Sequence, residues 1–318
     1  MPVVLSPVLS ASNKDADSTG KNLLKSYLYE FLMKLFILAS LNGITVAALY
    51  FIVAIGFTLI FGLMRVINLA HGSLFILGAY VGHDVASSTG NWYLGLAAGG
   101  TIVALAGILI QSTLLDRIQG QEMRQSLVAI GLSIVIADLL LARYGGLTYQ
   151  FYPPEFISGS LRLPIIGGYP TFRLAVVAAA VLVGIGLWLI VNRTRFGIII
   201  RAGVDDRSML AALGINVPLV SILVFGIGAG LAGLAGVVGA SALSVSPGED
   251  ARYLLSSLVV VIVGGMGSLA GTAIGALLIG LAEQIGLAYF PTYSVIVSFV
   301  IMATVLALRP QGLLGKRG

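Results

Sequence analysis

The sequence contains no cysteine among its 318 residues. A disulfide, a thiolate metal site and a cysteine nucleophile are thereby excluded. Charge is almost as scarce. Only 10% of the residues are Asp, Glu, Lys or Arg, where a soluble domain carries about a quarter. That is too little to cover a water-facing surface. A Walker A nucleotide loop is also missing, because Gly315-Lys316 is followed by Arg317 and lacks the first glycine of the pattern. If ATP drives this protein, a separate polypeptide binds it. Histidine occurs only at His71 and His83, whereas a catalytic metal site takes about three protein ligands. No catalytic residue, metal site or cofactor is therefore expected. The first 20 residues are polar and have no apolar core with a cleavage site, so no removable signal peptide is expected either.

What is present is hydrophobicity in long blocks. Hydrophobic residues make up 58% of the chain, and the stretches Leu174 to Val191, Val217 to Leu243 and Tyr293 to Leu308 carry no charge at all. A helix needs about 20 apolar residues to cross a hydrocarbon core of about 30 Å. Barrel strands would alternate with period two, and no such alternation is seen. The sequence predicts an all-α, polytopic transmembrane helical bundle with about nine apolar segments. They run over 38–63, 67–86, 93–115, 126–143, 171–191, 218–243, 254–264, 269–289 and 293–308. The segment at 254–264 is too short to span alone and is followed by Gly264, Gly265 and Gly267, which predicts a broken helix. Residues 1–30 read as a polar, disordered tail, and 31–318 as a single transmembrane domain. No loop is long enough to fold independently.

Loop charge predicts the orientation. Arg117 and Arg124, then Arg193, Arg195, Arg201 and Arg207, then Arg309, Lys316 and Arg317 fall in three loops that alternate correctly for one common side. These are expected to be cytoplasmic. The net charge of +5 is thus topological and points to no nucleic-acid partner. The N-terminus is in conflict, since parity places it outside and Lys14, Lys21, Lys25 and Lys34 argue for inside. Asn42-Gly43 could divide the first long apolar region into two.

Glycine is abundant, with 41 residues. Gly230, Gly233, Gly236 and Gly239 recur every third position, and Gly267, Gly271 and Gly275 every fourth. Such ridges let a second helix approach closely. Gly228-x-Gly230-x-x-Gly233 fits the dinucleotide fingerprint, but that motif needs a strand before it and a helix after it, and here it lies in an apolar block. Polar residues inside apolar segments include Asn68 and His71, Asp138 with Arg143, and Glu283, the charged ones readable as interfacial or packing groups.

Two glycine-interrupted places share a pattern. Asn68, Ala70, His71, Gly72, Ser73 and Leu74 precede one apolar segment; Gly264, Gly265, Met266, Gly267, Ser268 and Leu269 precede another. Each puts Gly-Ser-Leu before a helix. Interrupted segments at matching positions mark transporter binding sites, because helix N-termini offer unpaired N–H groups to a carboxylate. Chance similarity is the alternative. The candidate substrate path is Asn68, His71, Gly72, Ser73, Gly264, Gly265, Gly267 and Ser268, with the two breaks facing each other across a cavity near the midplane. The 192–216 loop reads as a helix from about 204, with Met209, Leu210 and Leu213 on an apolar face and Gly214 ending it. It would rest on the membrane surface or dock a cytoplasmic partner.

Several stretches, in order, resemble the LivH-like permeases of branched-chain amino-acid ABC importers. They are Ile67 to Gly72, Ala129 to Ser133, Leu213 to Asn216, Gly264 to Ser268 and Arg309 to Gly315. The resemblance implies a membrane subunit moving branched-chain or other neutral aliphatic amino acids across a bacterial inner membrane. It implies as partners a second, LivM-like permease, two cytoplasmic ATPase subunits and a periplasmic binding protein. It also places Arg207, Leu210, Ala211, Leu213 and Gly214 in the helix that docks into an ATPase. Similar permeases carry urea or short amides, and a channel or secondary transporter is the alternative of another class. The latter would need buried acidic groups for a coupling ion.

The absence of native cysteine makes orientation directly testable. Arg201→Cys and Lys316→Cys are expected to react with a membrane-impermeant maleimide only after the membrane is permeabilised. Labelling in intact cells would overturn the assigned sidedness.

Overall fold

The computed structural model describes residues 17–164, 166–205 and 207–315. Its helices are α1 (Asp17–Met64), α2 (His71–Thr89), α3 (Trp92–Ile110), α4 (Glu122–Tyr144), α5 (Thr171–Arg193), α6 (Arg195–Asp205), α7 (Arg207–Ala212), α8 (Val217–Leu243), α9 (Asp250–Gly264), α10 (Leu269–Tyr289) and α11 (Ser294–Leu308). Every apolar segment read from the sequence holds one of them. Among the described residues, six helices are long and apolar enough to cross a membrane: α1, α3 with its wider continuation over Gln111–Leu115, α4, α5, α8 and α10. The chain is a multi-pass all-α bundle. The expected count of about nine spans is not reached by length and composition. With 15 residues each, α9 and α11 rise only about 22 Å. The third shortfall, α2, carries His71, His83 and Asp84.

Three local expectations change. The 144–170 loop contains a small antiparallel hairpin, β1 (Ser160–Leu163) with β2 (Gly167–Pro170), in which Ser160 faces Pro170. Only residues 17–30 of the expected disordered tail are described, and they are the first turns of α1. Finally, α1 does not divide at Asn42-Gly43. A Cβ on Gly43 would lie 2.9 Å from the Leu281 Cα, so this glycine lets α10 approach and makes no turn. The start of α1 therefore lies at the end of the bundle opposite Arg65.

The ends of the bundle are distinguished by their partners. Arg65 donates to the Val204 carbonyl of α6 at 3.0 Å, so the end of α1 joins the basic 192–216 segment. The C-terminal segment meets the same end, where Leu313 N–H donates to Val263 O at 2.9 Å. At the opposite end Tyr149 and Val245 pair as an isolated antiparallel bridge.

The glycine ridge of α8 sits in the middle of the molecule. Its period of three winds it from one neighbour to the next. A Cβ on Gly228, two residues before the ridge, would lie 2.8 Å from Gly56 O of α1; on Gly233, 2.4 Å from Gly99 O of α3; on Gly236, 2.0 Å from Phe75 O of α2. All three neighbouring backbones thus touch α8 where a side chain is absent, as the ridge predicted. On α10, Gly271 and Gly275 do the same for α9, with a Cβ at 2.1 Å from Gly264 O and 2.5 Å from Val260 O, whereas Gly267 has only Gly62 Cα near, at 3.6 Å.

Gly275→Leu must push α9 and α10 apart, and overpacking of this kind costs about 1–3 kcal/mol or more. It is expected to reduce sharply the amount of monodisperse protein recovered in detergent. Gly186→Leu, at a position with no atom within 4 Å of a built Cβ, is expected to leave recovery unchanged. Equal recovery of the two variants would contradict the packing role.

Candidate substrate path and docking surface

The first break begins where α1 ends. Arg65 takes a left-handed φ of 54° and the chain turns back into the bundle. His71 N–H donates to Asn68 O at 3.1 Å, and Ala70 N–H donates to Asn68 Oδ1 at 3.2 Å. The His71 side chain is fully buried. Its Nε2 lies 2.9 Å from Val53 O, to which it donates, and its ring stands edge-on to Phe57. Val53 precedes Met64 by eleven residues of α1, about 16 Å along the axis. So α2 starts roughly half a hydrocarbon core away from the Arg65 end. No side chain caps it. Asn68 Nδ2 and His71 Nδ1 are buried without a hydrogen-bond partner. An unmet polar group of this kind costs about 1–3 kcal/mol.

What faces this helix start is the start of α9. A Cβ on Gly72 would fall 2.1 Å from Asp250 O. Ser73 Oγ donates to Asp250 Oδ2 at 3.0 Å, and Ser133 Oγ on α4 reaches the same oxygen at 3.4 Å. The two serine hydroxyls are 2.7 Å apart. A carboxylate of the chain itself thus lies between two helix N-termini, where the helix dipoles favour negative charge. Asp250 falls between two apolar segments, and nothing in its local sequence reports that this loop folds inward. Ser133 did carry a signal, since it ends the Ala129 to Ser133 match, yet no role was assigned to it.

The second break lies elsewhere. Gly265 and Gly267 have φ of 108° and 83°, which reverse the chain between α9 and α10. Ser268 then caps α10, its Oγ accepting from Gly271 N–H at 3.0 Å. The last carbonyls of α9 are met by the C-terminal segment, with Leu314 N–H donating to Gly264 O at 3.0 Å. The stretch from Arg309 to Gly315 therefore closes a helix end. Gly267 sits beside Gly62, nine residues along α1 from Val53, an offset of about 13 Å. The two Gly-Ser-Leu breaks do not face each other across one cavity. The structure brings Asn68, His71, Gly72 and Ser73 together, and it groups Gly264, Gly265, Gly267 and Ser268 separately near the Arg65 end. A leucine at Gly267 would act first through the left-handed backbone of that position.

The 192–216 segment is two helices, α6 and α7, in place of one from about 204. Its end matches the expectation: Gly214 has φ of 78°, Ile215 N–H donates to Leu210 O at 3.2 Å and Gly214 N–H to Ala211 O at 3.0 Å. This is a Schellman cap, which a left-handed glycine makes possible. The expected apolar face is split. Leu210 is buried at 3% exposure, while Met209 and Leu213 are exposed at 62% and 67%. The Leu210 side chain and that of Leu63 crowd the same face of Gly203, so Leu210 anchors α7 to the bundle. Ala211 is exposed and Arg207 opens α7. Asp206 and Lys316 lie outside the described residues.

Apolar helices packed through glycine, with hydrophobic segments broken inside the bundle, define a multi-pass membrane permease. Residues 39–306 match the family described as branched-chain amino acid transport system, permease component, and the chain belongs to that family. The permease protein LivH of Escherichia coli K12 is 29% identical over 92% of this chain and 97% of its own length. The permease protein BraD of Pseudomonas aeruginosa is 30% identical over 91% of this chain and 97% of its own. LivM of Salmonella typhimurium is more distant, at 25% over 89% of this chain and 74% of its own.

Two neighbouring substitutions separate packing from path at the first break. Gly72→Ala, with its methyl against the α9 backbone, is expected to lose most of the assembled protein. Ser73→Ala removes one of two hydroxyls from the Asp250 carboxylate, about 1.5–3 kcal/mol, and is expected to keep assembly while slowing uptake. Unchanged uptake in Ser73→Ala would remove this cluster from the path.

Proposed function

We propose that the chain is the membrane-spanning subunit of an ATP-driven importer for branched-chain or other neutral aliphatic amino acids. The observation that carries this reading is the family match over nearly the whole bundle, together with relatives named as high-affinity branched-chain amino acid permeases across more than nine-tenths of their length. In this reading the chain catalyses no covalent step. It pairs with a distinct LivM-like permease, which the similarity to LivM supports. Two cytoplasmic ATPase subunits supply the work, and an extracytoplasmic binding protein delivers the cargo. The complex sits in the bacterial inner membrane with the Arg65 end of the bundle toward the cytoplasm, in keeping with the basic loops there. The whole set of nine apolar segments takes part in the membrane domain, with α9 as a partial span.

Coupling to the ATPases runs through α6 and α7. Arg65, at the mouth of the first break, holds α6 by its Val204 carbonyl. A push on α7 therefore has a rigid route, through Leu210 and α6, to the end of α1 and the start of the path. Leu213 and Ala211 are the side chains offered outward. Asn68, His71, Gly72 and Ser73 line the path at the depth where α2 begins, and the unpaired Asn68 and His71 nitrogens suit a group that passes and is released.

Reconstitution with the partner permease, ATPases and binding protein tests this. L-Leucine uptake is expected, with urea and acetamide not carried. Leu213→Asp and Gly214→Pro are expected to cut uptake and ATPase stimulation by loaded binding protein at least about tenfold, while the chain stays in the membrane. Proline cannot adopt a positive φ and lacks the N–H that reaches Ala211 O. Leu210→Asp would instead bury a charge and report folding. Wild-type coupling in both variants would overturn the docking role, and uptake of urea without leucine would overturn the substrate class.

A further inference from the structure

A cavity of about 310 Å³ opens at the end of the bundle opposite Arg65. It lies where the start of α5, the end of α8, the start of α9 and the end of α10 meet the middle of α1, over Asn42 to Tyr50. In a chain this poor in charge, its wall gathers two guanidinium groups, Arg173 and Arg252, and two carboxylates, Glu249 and Glu283. The charges balance, and Arg252 and Glu283 form a loose ion pair. Arg252 Nη2 stands 3.9 Å from Glu283 Oε1, well beyond a charge-assisted hydrogen bond of about 2.7–2.9 Å.

Neutral groups fix two of these charges in place. Tyr50 donates to Glu283 Oε2 at 2.8 Å, leaving the second oxygen directed to the cavity side where Arg252 stands. Arg173 donates to Asn42 Oδ1 and lies over the Tyr169 ring, 5.8 Å from its centroid. Tyr169 is in turn held by Thr45 Oγ1 at 2.9 Å and by Leu41 O at 3.0 Å. Asn42 uses one of five guanidinium donors. Arg173 and Glu283 are thus each positioned by a neutral hydrogen-bond partner. Val46, Leu243 and Leu287 supply apolar wall beside them.

We propose that this cavity is a receiving site for a zwitterionic α-amino acid. The guanidinium of Arg173, with Arg252 across the opening, takes the carboxylate. Glu283 and Glu249 take the ammonium, and an aliphatic side chain lies against Val46, Leu243 and Leu287. Balanced opposite charges reject a free cation or anion, since each would meet a like charge, and they reward a ligand that carries both. The proposal rests on the import reading, because it is at the outer end of the bundle that cargo enters.

The full-length chain, purified in complex with its partner permease and ATPases and without binding protein, tests the site. L-Leucine is expected to raise the unfolding temperature of the complex in a saturable way. 4-Methylpentanoic acid lacks the ammonium and 3-methylbutylamine lacks the carboxylate, and neither is expected to do so at the same concentration. Arg173→Gln and Glu283→Gln are expected to weaken the leucine effect at least about tenfold. Leu287→Trp, which narrows the cavity and leaves every charge in place, is expected to do the same. A complex that transports leucine while showing no saturable shift, or a shift equal in all three variants or given equally by the two analogues, overturns the receiving site and leaves import standing. A reconstituted complex that carries no amino acid at all overturns the import reading on which the site rests.

Discussion

Backbone contact across the glycines of α8 is the constraint on which the other positions depend. In lipid there is no hydrophobic drive between helices, since the tails are as apolar as leucine, so association rests on close packing. Here three helices touch one at backbone distance. Gly228 admits α1, Gly233 admits α3 and Gly236 admits α2, each where a Cβ would stand within 2.8 Å of a carbonyl oxygen. A ridge with period three drifts around a helix of 3.6 residues per turn. The drift carries the ridge from α3 at Gly233 to α2 at Gly236, while Gly228, outside that period, admits α1. With α1 and α2 both fixed to α8, the depth at which α2 begins is fixed too.

That depth matters because a helix start in a low-dielectric interior exposes N–H groups that must be met. The protein meets them differently at its two breaks. At the first, the starts of α2 and α9 meet with Asp250 between them, bonded by Ser73 and Ser133, and two side-chain nitrogens are left unmet. At the second, the carbonyls of α9 are met by the C-terminal segment and the start of α10 is capped by Ser268. One break is left polar and open-ended, the other is sealed. Two places with the same local sequence pattern thus have different roles, decided by which segments of the chain come back to them.

The elements and their glycine contacts were legible in the sequence because apolar length and glycine period are local properties. Each apolar segment holds a helix, and the glycine that ends α7 was identified from its place after Leu213. What was not legible depends on partners far along the chain. Gly43 reads as a turn residue until Leu281 is seen against it. Leu210 reads as part of an outward face until it is found beside Leu63. Asp250 reads as a loop charge until the loop is found to fold inward, and the matching Gly-Ser-Leu motifs look paired until α1 is used as a ruler between them. The branched-chain permease family was reachable from the order of short motifs, each of which alone proves little.

The first turn of α9 joins two polar regions that lie far apart along the chain. Asp250 faces inward to Ser73 and Ser133. Glu249, Arg252 and Tyr253, within the same turn, line the outer cavity. Tyr253 also lies against the ring of Phe75 on α2, 4.0 Å between centroids. Any shift of this turn relative to α1 must therefore change the charges around the cavity and the carboxylate at the α2 start together. The whole of α9 is short, about 22 Å, and its far end is held by Gly271, Gly275, the C-terminal segment and apolar packing of Val259, Val260, Val261 and Val263 against α1. A short helix held at the Arg65 end and carrying polar contacts on both sides of its first turn is the element through which the outer cavity and the interior break are mechanically one unit.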